Sequence, residues 1–322
     1  MKEKFGNVFK KLNLKDIVIE VSPITGGLLH KMYKVTTNKG VYAIKKLNPL
    51  VMQRRGSYDN YVRSEKISRY LIEGGINGIS SLGDINNFII KEEDDYYMAF
   101  PWLEGHILSS LDLNINHVKK IGHLLGRIHK IGNNYPKEKL SSLKENINWR
   151  NYLGVNDFFD QNYKLITMLD NKAINSYNKL TKNVLISHLD MDLKNVMWDK
   201  DDNPYLIDFE SANYVNPTFD LLDVSLYWSL AETNFNFSYF KEFISSYLEE
   251  NNLNYDEVTL AIDSIYKNHL GWLAYNLDKL ILNSKDKEAL EEVNKAINSI
   301  NNYFKIMPLI SEYLNKKRVA NN

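Results

Sequence analysis

The chain has 322 residues, 44% hydrophobic and 25% charged, with 40 basic and 40 acidic side chains and no cysteine. That apolar share suits one large or two medium cores; the missing thiols exclude disulfides, thiolate zinc sites and a cysteine nucleophile. The opening segment MKEKFGNVFKKLN lacks the apolar core of a secretion signal, and no run of roughly 18 apolar residues follows, so a cytoplasmic chain without a membrane span is expected.

Residues 17–22 (IVIEVS) predict a strand, followed by the Gly26-Gly27 turn and a second strand over 32–37. The turn signal Asn38-Lys39-Gly40 leads into a third strand over 41–47 that carries Lys45. Residues 59–73 predict a helix with Val62, Ile67, Tyr70 and Leu71 toward one side and Glu65 at its middle; Gly74-Gly75 ends it. Two further strands flank the acidic turn at 92–95. The first hundred residues therefore read β-β-β-α-β-β. Beyond Gly105, Val118, Ile121, Leu124, Leu125, Ile128 and Ile131 share one helical face. Helical patterns then cover 155–170, 220–232, 237–250, 256–282 and 285–305, interrupted by one β-rich patch over 184–211. The class is α+β, with a small β-rich lobe over 1–103 and a larger helical lobe over 104–322.

The β-rich patch holds the densest chemistry. Asp190 and Asn195 lie five apart, and Asp208 follows at the end of a strand. A carboxylate to accept a hydroxyl proton, plus an Asn and an Asp to hold magnesium, is the set that phosphoryl transfer needs. Magnesium takes hard oxygen ligands and keeps several waters, so few protein ligands suffice. Lys45, on a strand just after a Gly-Gly turn, suits a phosphate-holding lysine, with Glu65 as its ion-pair partner. Taken alone, two glycines make an ordinary turn more often than a phosphate site, and Lys45 and Glu65 read more often as ordinary solvated charges than as a pair.

Together these motifs carry a resemblance. The run H188-L-D-M-D-L-K-N195 and the run I-D208-F-E210 resemble those of the aminoglycoside phosphotransferase and choline kinase superfamily, which usually reads H-G-D-x-H-x-x-N and I-D-[FW]-[DE]. The Gly-Gly turn, the YAIK strand, the helix Glu, the hinge FPWLEG and the LLGRIH helix extend the likeness over nearly the whole chain. The resemblance implies a bilobal protein-kinase-like fold and an enzyme that moves the γ-phosphate of ATP or GTP to a small-molecule hydroxyl with Mg2+. It implies Asp190 as the catalytic base, Asn195 and Asp208 as magnesium ligands, Lys45 with Glu65 at the phosphates, and Gly26 and Gly27 in the loop above them. Phe100 matches a gatekeeper, with the Pro101 carbonyl and the Leu103 N–H facing the base. Asp220 matches an Asp that braces the catalytic loop.

Three positions depart from the pattern. Leu189 replaces the usual Gly and Asp192 the usual His. Asp192, two residues from Asp190, is expected to raise a carboxyl pKa or to attract a further cation. His30 stands where the phosphate loop often has Asn or Ser and keeps a donor for a phosphate. None of these removes a catalytic group.

For the acceptor, the charge pattern is informative. Residues 188–292 hold 21 acidic against 7 basic side chains. Uneven surface charge is one reading; an acidic cleft for a cationic ligand is the other. A polycationic aminoglycoside is the first choice, with Asp192, Glu210, Asp223, Glu232, Asp263 and Asp278 as candidate carboxylates. Choline or a related amino alcohol is the alternative, with Trp272 and Tyr275, beside Tyr227 and Trp228, either packing the core or caging a quaternary ammonium. A catalytically idle scaffold is the alternative of another class, disfavoured because Lys45, Asp190, Asn195 and Asp208 are all retained. His129 and His269 read as packing histidines. No basic stripe with interleaved aromatics is present, so nucleic acid is not an expected partner; a monomer or homodimer is.

Overall fold

The computed structural model describes residues 1–24, 29–138, 146–231 and 234–320. Two compact units form, Met1–Gly132 with Ile186–Asn213, and Asn133–Leu185 with Tyr214–Asn322.

In the first unit, helix α1 (Lys2–Lys11) precedes strands β1 (Val18–Ile24), β2 (Lys31–Thr37) and β3 (Val41–Lys46). The short helix α2 (Pro49–Met52) and the long helix α3 (Ser57–Glu73) follow, then β4 (Ile90–Glu92), β5 (Asp95–Pro101), β6 (His106–Ile107) and helix α4 (Ile115–Gly132). Strand β7 (Leu185–Ser187) leads into β8 (Val196–Trp198) and β9 (Pro204–Leu206). Five strands make one antiparallel sheet in the order β1-β2-β3-β5-β4.

Alternation along β3 decides which side chain meets which layer. Ile44 points toward α1, where Phe5, Val8, Phe9 and Leu12, at helical spacing, are buried with Val35, Tyr97 and Ala99. Lys45, paired across the ladder with Met98, points to the opposite face. There Leu47, Tyr61, Phe88 and Met98 form a second cluster joined by Phe100. Ion pairs fasten α1 to the β4–β5 hairpin: Lys4 to Glu93 and Asp95, and Lys11 to Glu92.

Helix α4 buries Val118, Ile121, Leu124, Leu125 and Ile128, as its periodicity predicts. Its last residue, Gly132, lies so near the backbone entering the β-rich patch that an added Cβ would sit 2.3 Å from the Ile186 carbonyl oxygen. The pairing of β6, β8 and β9 completes this unit.

Among the described residues the second unit is mainly helical; β10 (Asn213–Val215) enters it, and it carries the two-residue strands β11 (Leu230–Ala231) and β12 (Asn234–Phe235). It contains α5 (Asp157–Leu180), α6 (Pro217–Tyr227), α7 (Phe237–Glu250), α8 (Val258–Ser264), α9 (Tyr266–Leu282) and α10 (Lys287–Ala320). Asparagine caps start three of them: Asn156, Asn216 and Asn236 each accept a hydrogen bond from a first-turn amide, satisfying donors that have no intrahelical partner. The continuous helix expected over 256–282 is split at Ile265 into α8 and α9. Helix α10 runs through Pro308, well past the expected end at 305. No helix among the described residues is long and apolar enough to cross a membrane.

Candidate functional site

The β-rich patch builds a pinned loop. His188 is fully buried; its Nδ1 accepts from the Asp190 N–H at 3.3 Å, which leaves Nε2 to donate to the Ile207 carbonyl at 3.0 Å. The Asn195 Nδ2 donates to the Asp190 carbonyl at 2.8 Å, and the Ile207 N–H to the Asn195 carbonyl at 3.0 Å. Backbone turns and short-range side-chain bonds thus hold Asp190 and Asn195 together, as their spacing suggests. Leu189 takes a left-handed backbone, φ 63°, at the position where glycine was the expected residue. For a leucine this conformation costs roughly 1–2 kcal/mol, held in place by the surrounding bonds.

Burial raises the Asp190 carboxyl pKa, opposed by the nearby Lys194 and reinforced by Asp192. Lys194 Nζ lies 2.7 Å from Asp192 and 4.0 Å from Asp190. It is the cation that the crowded carboxylates attract, and sequence reasoning missed it; its position four residues after Asp190 was the available signal.

Asp208 also has a left-handed backbone, φ 60°, and this kink brings Asp208 and Glu210 to one lysine. Lys45 Nζ donates to Asp208 Oδ1 at 2.9 Å and to Glu210 Oε1 at 2.8 Å. Burial acts to lower the Lys45 pKa, but Glu210 and Asp208 outweigh it and hold the ammonium above its ordinary value. Burial likewise works to raise Glu210; the His30 hydrogen bond and the Lys45 charge overcome it and bring the carboxyl down to about 2. His30 Nδ1 accepts from the Asn48 N–H at 2.9 Å, so its Nε2 carries the proton and donates to Glu210 Oε2 at 3.0 Å. The Tyr61 hydroxyl lies 3.3 Å from the same nitrogen. Burial and then the two carboxylates push the Tyr61 phenol well up.

One expected pair is not formed. Glu65 is buried, yet its Oε1 accepts from Arg69 Nε at 2.8 Å and from the Ser81 N–H at 3.1 Å rather than from Lys45. The cause is Arg69, one turn along α3, which claims the carboxylate first. His30, expected to face a phosphate, is occupied at both nitrogens by Asn48 and Glu210.

The hinge follows β5. Phe100 packs beside Tyr61 and Met98, and Pro101 pairs with Tyr42 across the ladder. The Leu103 N–H has no hydrogen-bond partner among the described residues. Gly26, Gly27 and Glu232 lie outside the described residues.

The second unit holds the remaining candidates. Asp223 accepts from Asn268 Nδ2 at 3.3 Å. Asp263 is paired with Lys172 at 2.7 Å, and Asp278 accepts from the Tyr152 hydroxyl at 2.9 Å, so both carboxylates are already engaged. On α9, Trp272 and Tyr275 stack at 5.4 Å and stay 47% and 48% exposed. Trp228, in contrast, is fully buried and packs the core. Asp220 is buried on α6.

Residues 20–258 match the profile of APH, described as the phosphotransferase enzyme family. The chain belongs to this family. The phosphotransferase also shares its fold with solved structures of low identity. Amicoumacin kinase hAmiN, in complex with AMP-PNP, Ca2+ and Ami, is 15% identical with a TM-score of 0.65, over 87% of each chain. Spectinomycin phosphotransferase APH(9)-Ia, in complex with ADP and spectinomycin, is 16% identical with a TM-score of 0.65, over 94% of this chain and 98% of that one. Choline kinase LicA from Streptococcus pneumoniae is 16% identical with a TM-score of 0.59, over 94% and 99%. A search of curated protein sequences returns no match. The antiparallel sheet in the first unit and the helical remainder of the phosphotransferase fit the protein-kinase-like fold of these neighbours.

Proposed function

We propose that this phosphotransferase moves the γ-phosphate of ATP or GTP to a hydroxyl of a small cationic molecule in a Mg2+-dependent reaction. The observation that carries the reading is the meeting of Lys45 with Asp208, beside a loop that fixes Asp190 and Asn195. Residues 1–103 serve as the nucleotide-binding lobe and 104–322 as the catalytic and substrate-binding lobe.

The chemistry of the donors fits magnesium. The Asn195 amide is oriented by its nitrogen, which leaves Oδ1 without a hydrogen-bond partner among the described residues; Asp208 Oδ2 is likewise unpartnered. Both are hard oxygens of the kind magnesium takes. When bound, the ion supplies charge neutralisation on the transferring phosphoryl group. Lys45 holds the α- and β-phosphates and steadies their charge. Pro101 and Leu103 present a carbonyl and an N–H to the base, beside Phe100.

Asp190 aligns the acceptor hydroxyl and takes its proton as the new oxygen–phosphorus bond forms and the bond to the leaving β-phosphate oxygen breaks. A carboxyl pKa raised by burial moves this base toward neutral pH, where it accepts a proton more readily. His188 and Asn195 keep the loop from drifting.

The acceptor is an aminoglycoside-type molecule in the first instance. The acidic 188–292 segment supports this, as do the amicoumacin kinase and the spectinomycin phosphotransferase among the fold neighbours. A choline-type or other amino-alcohol acceptor is the second reading, favoured by the exposed Trp272–Tyr275 stack, whose faces suit a quaternary ammonium. Asp192, Asp223 and Glu232 are the carboxylates assigned to the acceptor side; Glu210, with both oxygens engaged by Lys45 and His30, is not among them. The enzyme works in the cytoplasm as a monomer or homodimer.

A nucleotide-consumption assay with magnesium tests the reading, comparing ATP and GTP against aminoglycosides, choline, ethanolamine and simple sugars. Asp190→Ala is expected to retain nucleotide binding and to lose about 100- to 10,000-fold in turnover, the range of a general base. Equal loss of binding and turnover removes that role from Asp190, and no turnover with any acceptor favours the idle scaffold.

A further inference from the structure

We infer that Glu210, oriented by His30, is the carboxylate that positions Lys45 for nucleotide phosphates, in place of the α3 carboxylate Glu65. The inference rests on the proposed function of the same site and deepens it. A lysine this buried, 7% exposed at its side chain, requires a fixed countercharge. Glu65 does not supply one. Its Oε1 is spent on Arg69 and on the Ser81 N–H, and turning it toward Lys45 would leave a buried amide without an acceptor.

Glu210 meets the requirement at both oxygens. Oε1 takes the lysine at 2.8 Å and Oε2 takes the His30 proton at 3.0 Å. The imidazole is itself fixed, because Asn48 donates its N–H to Nδ1, and Tyr61 closes the side of the ring. The chain of contacts runs Asn48, His30, Glu210, Lys45. Each link has one free orientation removed by the next.

Asp208 also touches Lys45, but its role differs. It is 39% exposed at the side chain against 23% for Glu210, and its second oxygen has no hydrogen-bond partner among the described residues. Asp208 is therefore the carboxylate able to exchange the lysine for another ligand, while Glu210 is held at both ends. Glu210 and His30 act through Lys45 and are positioning residues.

The test is equilibrium binding of ATP in EDTA and with magnesium, alongside thermal unfolding, for wild type and for Lys45→Ala, Glu210→Gln, Glu210→Asp, His30→Ala and Glu65→Gln. Glu210→Gln is expected to weaken metal-free binding by about tenfold or more, as loss of a charged hydrogen bond does. The Lys45→Ala, Glu210→Gln double variant should bind no worse than Lys45→Ala, since the two act as one unit. Glu210→Asp keeps the charge, and so the fold, yet is too short to hold both partners; it should lie between wild type and Glu210→Gln. His30→Ala should follow Glu210→Gln in direction, and Glu65→Gln should bind within about twofold of wild type, the scale of a contact that does not reach the ligand. The inference is overturned if Glu65→Gln matches Lys45→Ala while Glu210→Gln is silent. It is also overturned if Glu210→Gln alters only the magnesium-dependent part of binding, which would make Glu210 a metal ligand. If Lys45→Ala itself leaves binding unchanged, the site reading falls and takes the inference with it.

Discussion

Replacing Lys45 with methionine would keep the length of the side chain and remove its charge from between two carboxylates. Two routes give the size of the effect. Removing one partner of a buried ion pair costs about 3–5 kcal/mol, because the other charge stays buried without compensation. The partial exposure of Asp208 and Glu210 points to the lower end. Independently, holding Glu210 at about 2 instead of its ordinary 4.5 corresponds to about 3 kcal/mol, shared between Lys45 and His30. The pH dependence is the sharper readout. In the wild type the depressed Glu210 pKa stabilises the fold above pH 4.5, and this is lost as pH falls toward 2. In Lys45→Met the His30 hydrogen bond still holds the Glu210 pKa down, but the lysine charge no longer opposes burial, so the pKa moves up from its wild-type position. Relative to wild type, the variant is then penalised at neutral pH and relieved on acidification. Thermal unfolding followed by circular dichroism should show a deficit of about 3 kcal/mol near pH 7.5 that narrows as pH falls through 4 toward 2. A deficit that stays constant over that range would refute the ionic account of the cluster.

Three further outcomes are expected. Asp208→Ala should abolish the magnesium-dependent part of nucleotide binding, measured by titration with and without the ion; unchanged binding removes Asp208 from the site. Gly132→Ala would place a methyl 2.3 Å from the Ile186 carbonyl oxygen. The overpacking cost of about 1–3 kcal/mol should exceed the helix-propensity gain of about 1 kcal/mol, lowering the melting temperature, and a rise would refute the clash. Burial holds His269 down at about 4 from an ordinary 6.5, so its contribution is intact above pH 6.5 and lost as pH falls toward 4. His269→Phe should therefore flatten the stability profile over that window, and an unchanged slope would show that another group carries it.

How far the sequence was legible follows from how local each signal is. The three-strand opening, α3 and α4 were readable because turn residues and helical spacing lie within short windows. The Asp190–Asn195 pairing was readable for the same reason, since five residues separate them and one hydrogen bond joins them. Helix α1 was missed although Phe5, Val8, Phe9 and Leu12 carry helical spacing, because the segment was weighed only as a secretion signal. No proline or glycine marks the break at Ile265, and α10 continues through the exposed Pro308. The partner of Lys45 was illegible for a different reason. Glu65 and Glu210 are equally plausible by residue type, and the choice depends on Arg69 and Ser81 reaching Glu65 and on His30 reaching Glu210. The last of these joins residues 180 positions apart, a distance over which no pattern in the chain is visible.

The fastening of α1 bears on the order in which this sheet assembles. Strands β1 to β3 are hairpins that close over a few residues, whereas the Lys4 and Lys11 contacts span 80 to 91 positions. Loop-closure entropy rises with that separation, and non-local contacts are slow to form. The β1–β3 strands can therefore zip before α1 is fastened to the β4–β5 hairpin, and for that interval Ile44 and Val35 lack part of their cover. During that interval the chain is most exposed to wrong associations, so refolding yield, more than final stability, should depend on how quickly Phe5 and Phe9 find their seats.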